Sequence, residues 1–295
     1  MEIRVLRYFL ETAREGSMTR AAERLHVTQP TLSRQIRDLE EELGKPLFVR
    51  HNTSVSLTDE GMILRKRAED LLSIADKIEN EFQTMDEIAG GHISIGCAES
   101  YLIGYLAEAI RNLNQKHPGI HYSIISGGTE QVDEKLINGV LDLAFIVEPP
   151  DLSRFNYLEV PSSDTWGVLM PKDCPLAEKK SITVDDLLSY PLFISEQSVR
   201  ADLPRWCGEK AESLHITANF NLVNNMALFV RSGLGLGLTF DRIIELNEKN
   251  TLVFRPLYPR LETRMYVIWK KYQVFTPAAS LLLSELKAVL TSHSS

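Results

Sequence analysis

Residues 17–40 read SMTRAAERLHVTQPTLSRQIRDLE, from Ser17 to Glu40. Ser17 suits a helix N-cap, and a short helix is expected from there to about Leu25. Ala21, Ala22 and Leu25 share one side of it, where small residues let a second helix cross closely. The turn is His26-Val27-Thr28, and His26 tolerates positive φ better than most non-glycine residues. Thr28 then caps a second helix, with Pro30 in the first turn, where its missing N–H costs little. Val27, Leu32, Ile36, Leu39 and Leu43 recur at spacings of five, four, three and four, a stripe expected to be buried. The opposite face carries Thr28, Gln29, Pro30, Thr31, Ser33, Arg34 and Arg37. Arg fits guanine O6/N7, Gln fits adenine, and Thr or Pro fits a thymine methyl. A single surface Arg is commonly just solvated. Turn, caps, stripe and polar face together call for a helix-turn-helix whose second helix enters a DNA major groove.

The flanks extend this unit. A preceding helix, Ile3 to Arg14, supplies Leu6, Phe9, Leu10 and Ala13 to a small core. Leu47–Arg50 and Val55–Leu57 read as short strands joined by His51-Asn52-Thr53-Ser54, which makes a winged helix-turn-helix. Arg50, His51 and Asn52 are candidates for phosphate or minor-groove contact. Phe9, Ala21-Ala22, Leu25, Gln29, Pro30, Leu32-Ser33, Ile36, Leu39-Glu40, Leu43-Gly44, Leu47-Phe48 and Leu57-Thr58 with Gly61 make the chain resemble the LysR-type transcriptional regulators. The resemblance is dense over residues 1–61; beyond them it lies in architecture and a few positions.

Composition neither requires nor forbids a DNA partner. The 295 residues carry a formal net charge of −8, and residues 1–60 hold nine Lys/Arg against ten Asp/Glu. The argument for nucleic acid therefore rests on where charges sit, not on their sum. Acidic Glu40, Glu41 and Glu42 cluster near the end of the second helix, beyond Arg34 and Arg37. No run of about 18 apolar residues is present, so no membrane span is expected. Met1-Glu2-Ile3-Arg4 lacks the apolar core of a signal peptide. Cys97, Cys174 and Cys207 are odd in number and far apart, which fits a reducing cytoplasm better than a disulfide framework or a paired redox switch.

Thr58-Asp59-Glu60 opens a long helix with a cap and acids that suit its positive end. Leu64, Ala68, Leu71, Ala75, Ile78, Phe82 and Met85 follow at alternating spacings of four and three, the seam of a coiled coil, until Gly90-Gly91. An amphipathic helix packed on its own domain is the alternative. The resemblance implies that this linker helix pairs with a twin and sets two DNA-reading heads a fixed distance apart, in a homodimer or homotetramer that works on RNA polymerase.

From His92 the pattern changes to strands alternating with helices, which implies βαβ units and a mainly parallel sheet. The expected strands are Ile93–Cys97, Tyr122–Ile125, Leu143–Val147, Thr165–Met170, Leu192–Ile194, Ile216–Leu222, Gly235–Phe240, Leu252–Leu257 and Met265–Trp269. Helices are expected at 105–117, 130–138, 184–188, 203–211, 225–231 and 277–290. The resemblance implies a two-lobed effector domain like a periplasmic binding protein, with crossing strands near 160–163 and 260–265. The expected division is a DNA-binding domain at 1–58, a linker helix at 59–90 and an effector domain at 91–295. Lobe I would take 91–161 and 266–295, and lobe II 162–265.

Ligands of open α/β sheets bind where strands end and helices begin. The candidate effector residues are Glu99, Ser100 and Tyr101, then Gly128 and Thr129, and across from them Ser195, Glu196 and Gln197, with Ser198 following. The resemblance singles out Ser100 and Thr129 as effector-contacting hydroxyls; simple helix capping is the other reading. Glu99 and Glu148 are expected to point into solvent, as most Glu do. Turned inward, they would favour a cationic or amino-bearing effector, while Arg200 and Arg205 would pull the other way.

Gly233-Leu234-Gly235-Leu236-Gly237 lacks the G-x-G-x-x-G spacing and reads as a helix stop before a strand. No H-E-x-x-H, G-x-S-x-G, P-loop or clustered Cys/His set is present, which speaks against an enzyme and offers no metal or cofactor site. An exported solute-binding protein would explain the second half but not the first 90 residues. The sequence thus points to a cytoplasmic transcriptional regulator whose binding and bending of promoter DNA respond to a small molecule.

Overall fold

The computed structural model describes residues 1–51, 54–84, 90–148, 152–246 and 251–293. They fall into two compact units, Met1–Gln83 and Thr84–Ser295.

In the first unit, helices α1 (Ile3–Glu15), α2 (Met18–Arg24) and α3 (Gln29–Leu43) precede strands β1 (Phe48–Arg50) and β2 (Val55–Leu57) and helix α4 (Asp59–Thr84). Phe9, Ala21, Leu32, Ile36 and Ala68 have no exposed surface and share one core. Burying a side chain the size of Leu or Phe stabilises by about 1.5–3 kcal/mol over leaving it in water. The stripe on α3 stops one step short of expectation. Leu43, at the helix end, is 41% exposed. His26 takes φ 54, as its turn requires. Ser17 occupies the N-cap of α2 with extended backbone, but its hydroxyl makes no capping bond. Thr58 does cap α4, accepting from Gly61 N at 2.9 Å. Gly61 is forced by proximity, because a Cβ there would lie 2.2 Å from the Leu47 carbonyl oxygen.

The second unit runs β3 (Gly90–Cys97), α5 (Gly104–Lys116), β4 (Gly119–Ser126), α6 (Thr129–Ile137), β5 (Leu143–Val147) and β6 (Phe155–Pro171). It continues with α7 (Val184–Leu187), β7 (Leu192–Ile194), α8 (Glu196–Arg200), α9 (Asp202–Cys207), β8 (Ile216–Asn219) and α10 (Val223–Arg231). Last come β9 (Leu236–Phe240), β10 (Leu252–Pro256), β11 (Glu262–Lys270) and α11 (Pro277–Ser292). Among the described residues these strands form one sheet of order β4-β3-β5-β11-β6-β9-β7-β8, with β10 also on β6.

Parallel groups sit at both ends, β4-β3-β5 and β9-β7-β8. Antiparallel β6 and β11 join them. Each group is a lobe. Ile93, Ile95, Phe145 and Leu286 belong to the core of the first, and Val168, Ile182, Leu192 and Ile194 to that of the second.

Two expectations are corrected. Instead of a new strand starting at Thr165, β6 is one strand of 17 residues. Its first part pairs with β11 and its last part with β9 and β10, so one strand spans both lobes. The helix expected at 203–211 stops at Cys207 and continues as a 3-10 segment, Gly208–Ser213. Gly208 stands between them at φ 55, ψ −133, a backbone conformation that disfavours any side chain. Gly233, φ 75, follows α10, as the glycine-run reading requires. No helix among the described residues is long and apolar enough to cross a membrane. Those residues also contain no group of acids, His and Cys arranged to hold a metal.

Candidate functional site

The polar face of α3 is free to meet a ligand. Thr28 Oγ1 accepts from Thr31 N at 3.4 Å and lies 2.8 Å from the Thr31 hydroxyl, so the helix start is fixed by its own side chains. Thr28, Gln29, Pro30, Thr31, Arg34 and Arg37 are exposed, and Ser33 is half-buried. The Arg34 side chain is 82% exposed and stands 3.9 Å from Asp38, too far to constrain it strongly. Leu32, Ile36 and Leu39 anchor the opposite face.

Glu40 has a structural role that its place in an acidic run concealed. Its Oε1 accepts from Leu47 N at 2.8 Å and Phe48 N at 3.1 Å, which ties the wing to α3. Its Oε2 faces Arg50 at 3.6 Å, so Arg50 is partly engaged within the head. His51 is exposed and lies 3.3 Å from the Ser56 hydroxyl. Asn52 lies outside the described residues.

The seam on α4 divides. Leu64, Ala68 and Leu72 turn into the core of their own unit, with Ala68 fully buried and Leu64 half-buried, and Gly61 lies against Leu47 and Leu57. Leu64 and Ala68 thus pack against the core of their own unit. A straight helix of 3.6 residues per turn drifts against a heptad, so one seam cannot face one direction throughout. Further along, Leu71, Ile78 and Phe82 are 46%, 50% and 68% exposed, and Ala75 is half-buried. Met62 and Ile63 add exposed apolar surface that the heptad did not indicate. Met85 lies outside the described residues.

Between the two lobes of the second unit is a cavity of about 430 Å³, within the range of small-molecule sites. Glu99, Gly128, Thr129, Ser195, Glu196 and Gln197 line it, as expected. Ser100 and Tyr101 do not. The Ser100 hydroxyl donates to Asp164 at 2.6 Å and caps the following turn, accepting from Leu102 N at 2.9 Å. Tyr101 is exposed beneath the Arg242 guanidinium, 5.0 Å from the ring centre. Sequence reasoning missed Trp166, Asp202, Asn219, Phe220, Asn221 and Phe240 on the walls. Asn219 to Asn221 lie at and just beyond the carboxyl end of β8, a signal hidden because the expected strand ran on to Leu222. Trp166, in the middle of β6, had none.

Two hydrogen bonds cross the cavity. Thr129 N, at the start of α6, donates to Gln197 Oε1 at 3.0 Å. Val223 N, at the start of α10, donates to the Glu99 carboxylate at 2.7 Å. Glu99 therefore faces inward, against expectation, and its half-burial pushes its pKa up while the Val223 bond lowers it. Glu148 also departs from solvent, since it pairs with Arg205 and accepts from Arg264 N at 3.2 Å. Burial raises Asp202 to about 6, with a Ser198 hydrogen bond opposing. Burial likewise raises Asp164 to about 6; Asp241 adds to the rise, while the Ser100 bond and Arg242 oppose it.

An exposed recognition helix in one unit and a ligand-sized cavity between lobes in the other define a DNA-binding regulator with an effector domain. The chain matches the model of the bacterial regulatory helix-turn-helix protein, lysR family, over residues 3–62. It matches the LysR substrate binding domain over residues 87–291. The chain belongs to the LysR family; it is a transcriptional regulator and not an enzyme.

The Hca operon transcriptional activator HcaR of Escherichia coli (strain K12) is 32% identical, over 92% of both chains. The crystal structure of full-length CbnR with its target DNA superposes with a TM-score of 0.74 at 18% identity, covering 98% of this chain and 100% of that one. Full-length BenM gives 0.54 at 26% identity, covering 99% and 98%.

Proposed function

We propose that Thr28, Gln29, Pro30, Thr31, Ser33, Arg34 and Arg37 read operator bases in the major groove, with Arg50, His51 and Asn52 on the flanking backbone. The observation that carries this is α3, whose polar face is open while Leu32, Ile36 and Leu39 on its apolar face are buried. Two chains pair along Leu71, Ala75, Ile78, Phe82 and Met85. The second head then binds as an intramolecular event, which converts two weak contacts into one strong one.

The cavity in the 91–295 domain takes a metabolite, which shifts the population of lobe arrangements by as much as its affinities for them differ. The altered packing in a dimer or tetramer changes promoter bending, and with it the access of RNA polymerase, in the cytoplasm. The domain limits are those expected from the sequence, 1–58, 59–90 and 91–295.

The test is retardation of the chain's own upstream DNA against scrambled duplexes at moderate salt. Preference for the upstream region is expected, and equal binding refutes the reading. Arg34→Ala is expected to cost about 1–3 kcal/mol per half-site. Unchanged specific binding by that variant removes Arg34 from the base-reading set.

A further inference from the structure

The interlobe cavity disfavours one broad class of ligand. Anions dock at helix N-termini, where unpaired N–H groups and the helix dipole attract negative charge. Two helices that start at this cavity, α6 and α10, already have their first N–H taken by one of the protein's own oxygens. Gln197 Oε1 takes Thr129 N of α6 at 3.0 Å, and the Glu99 carboxylate takes Val223 N of α10 at 2.7 Å. The charges on the walls are also one-sided. Glu99, Glu130, Glu196 and Asp202 stand against Arg200 alone, and Arg200 is paired with Glu196. The neighbouring Arg205 is shared between Glu148 and Asp202. An entering carboxylate would meet like charge and find no unengaged cation among the described lining residues.

The same walls suit a cation. Trp166, Phe220 and Phe240 line the cavity, and Trp166 meets Phe240 edge to face at 4.5 Å. Aromatic faces attract ammonium groups through their quadrupole, more strongly where water is excluded. Glu99 and Asp202 are each partly withdrawn from solvent, so a positive partner offsets a desolvation cost that Glu99 carries and that Arg205, at 3.5 Å, relieves only in part at Asp202.

We propose that the effector is a small organic cation, an amine with an apolar body. Its ammonium sits among Glu99, Asp202 and the aromatic rings, and its carbon skeleton fills the rest of the cavity. This inference rests on the reading of the interlobe cleft as the effector site.

Two sets of probes, matched in shape and differing in charge, test it by calorimetry on the full chain: phenethylamine, phenethyl alcohol and phenylacetate; and putrescine, butanediol and succinate. At least one amine is expected to bind about tenfold or more tighter than its alcohol, with no binding of the matching carboxylate. Glu99→Gln keeps an acceptor for Val223 N while removing the charge, and Asp202→Asn removes the other. Each is expected to weaken the amine about tenfold, a difference of ~1.4 kcal/mol.

A carboxylate that binds as well as its amine overturns the proposal. So does the failure of both amines at millimolar concentration, or amine binding unchanged in both variants. Circular dichroism confirms that a variant is folded; if one is not, the other decides. Retardation of upstream DNA by the same preparations separates the two levels. Specific DNA binding without amine preference removes only the ligand class, whereas loss of specific DNA binding in the parent protein removes the regulator reading itself.

Discussion

Asp164 sits on β6 with no exposed surface, bonded to Ser100 through one oxygen. Its other oxygen has no partner. Burial raises its pKa from 3.8 to about 6, so between those values the folded state holds more proton than the unfolded chain. Stability then falls as pH rises through that window and levels off above it. Asp202, also raised to about 6, adds to the same slope. Asp164→Asn is expected to flatten the decline in melting temperature from acid toward neutral pH, read by calorimetric scans of parent and variant. An identical decline in both would place the proton elsewhere. Cys97 is buried, and burial pushes its thiol up to about 12. It is expected to be the slowest of the three cysteines to alkylate in the native state, as mass spectrometry of a timed iodoacetamide reaction will show, because the thiolate is the reacting species. Legibility at this scale was uneven. Thr28 and His26 were readable because caps and turns obey local rules. Ser100 and Tyr101 follow Glu99 directly, yet only Glu99 turns into the cavity, since its partner Val223 lies 124 residues away.

At the scale of elements, α3 and the wing were legible because their signals are periodic and short-range. The long helix was only half legible. Its heptad marks apolar positions but not which neighbour covers them, and Leu64 and Ala68 pack against the core of the first unit. Glu substituted together at Leu71 and Ile78 is therefore expected to abolish the dimer in analytical ultracentrifugation while leaving the head folded. A variant that remains dimeric would put the main interface elsewhere. The contact of α4 with the wing is sharper still. Gly61→Ala places a Cβ within 2.2 Å of the Leu47 carbonyl. Overpacking of that kind costs about 1–3 kcal/mol, and urea unfolding of the head is expected to report it.

At the scale of the molecule, the alternation of strands and helices announced α/β units, and the resemblance placed the joint of two lobes near 160–163 and 260–265, where β6 and β11 run. A strand expected to restart at Thr165 proved to be the second part of β6, because its first part is largely exposed or half-buried, Pro161, Ser162 and Ser163 included, so the hydrophobic pattern breaks where the backbone continues. The net charge of −8 places the burden of DNA affinity on few cations. Operator affinity is expected to fall steeply with salt, with a logarithmic slope of about −0.9 per neutralised phosphate. Arg37→Ala, in titrations at several salt concentrations, is expected to relax preference at one base pair, as a groove contact would; a slope lowered by about one with preference unchanged would make Arg37 a phosphate contact instead.

Glu40 has a consequence for how the duplex is treated. With one carboxylate oxygen shared by the amides of Leu47 and Phe48, the wing and the recognition helix are tied together like the two halves of one jaw. On the proposed docking, that tie limits how far the two can move apart to suit a promoter. A gauge held this way follows a badly spaced groove poorly, so more of the yielding falls to the nucleic acid. Sequences that deform easily between the two points of grip gain an advantage at bases the protein never touches.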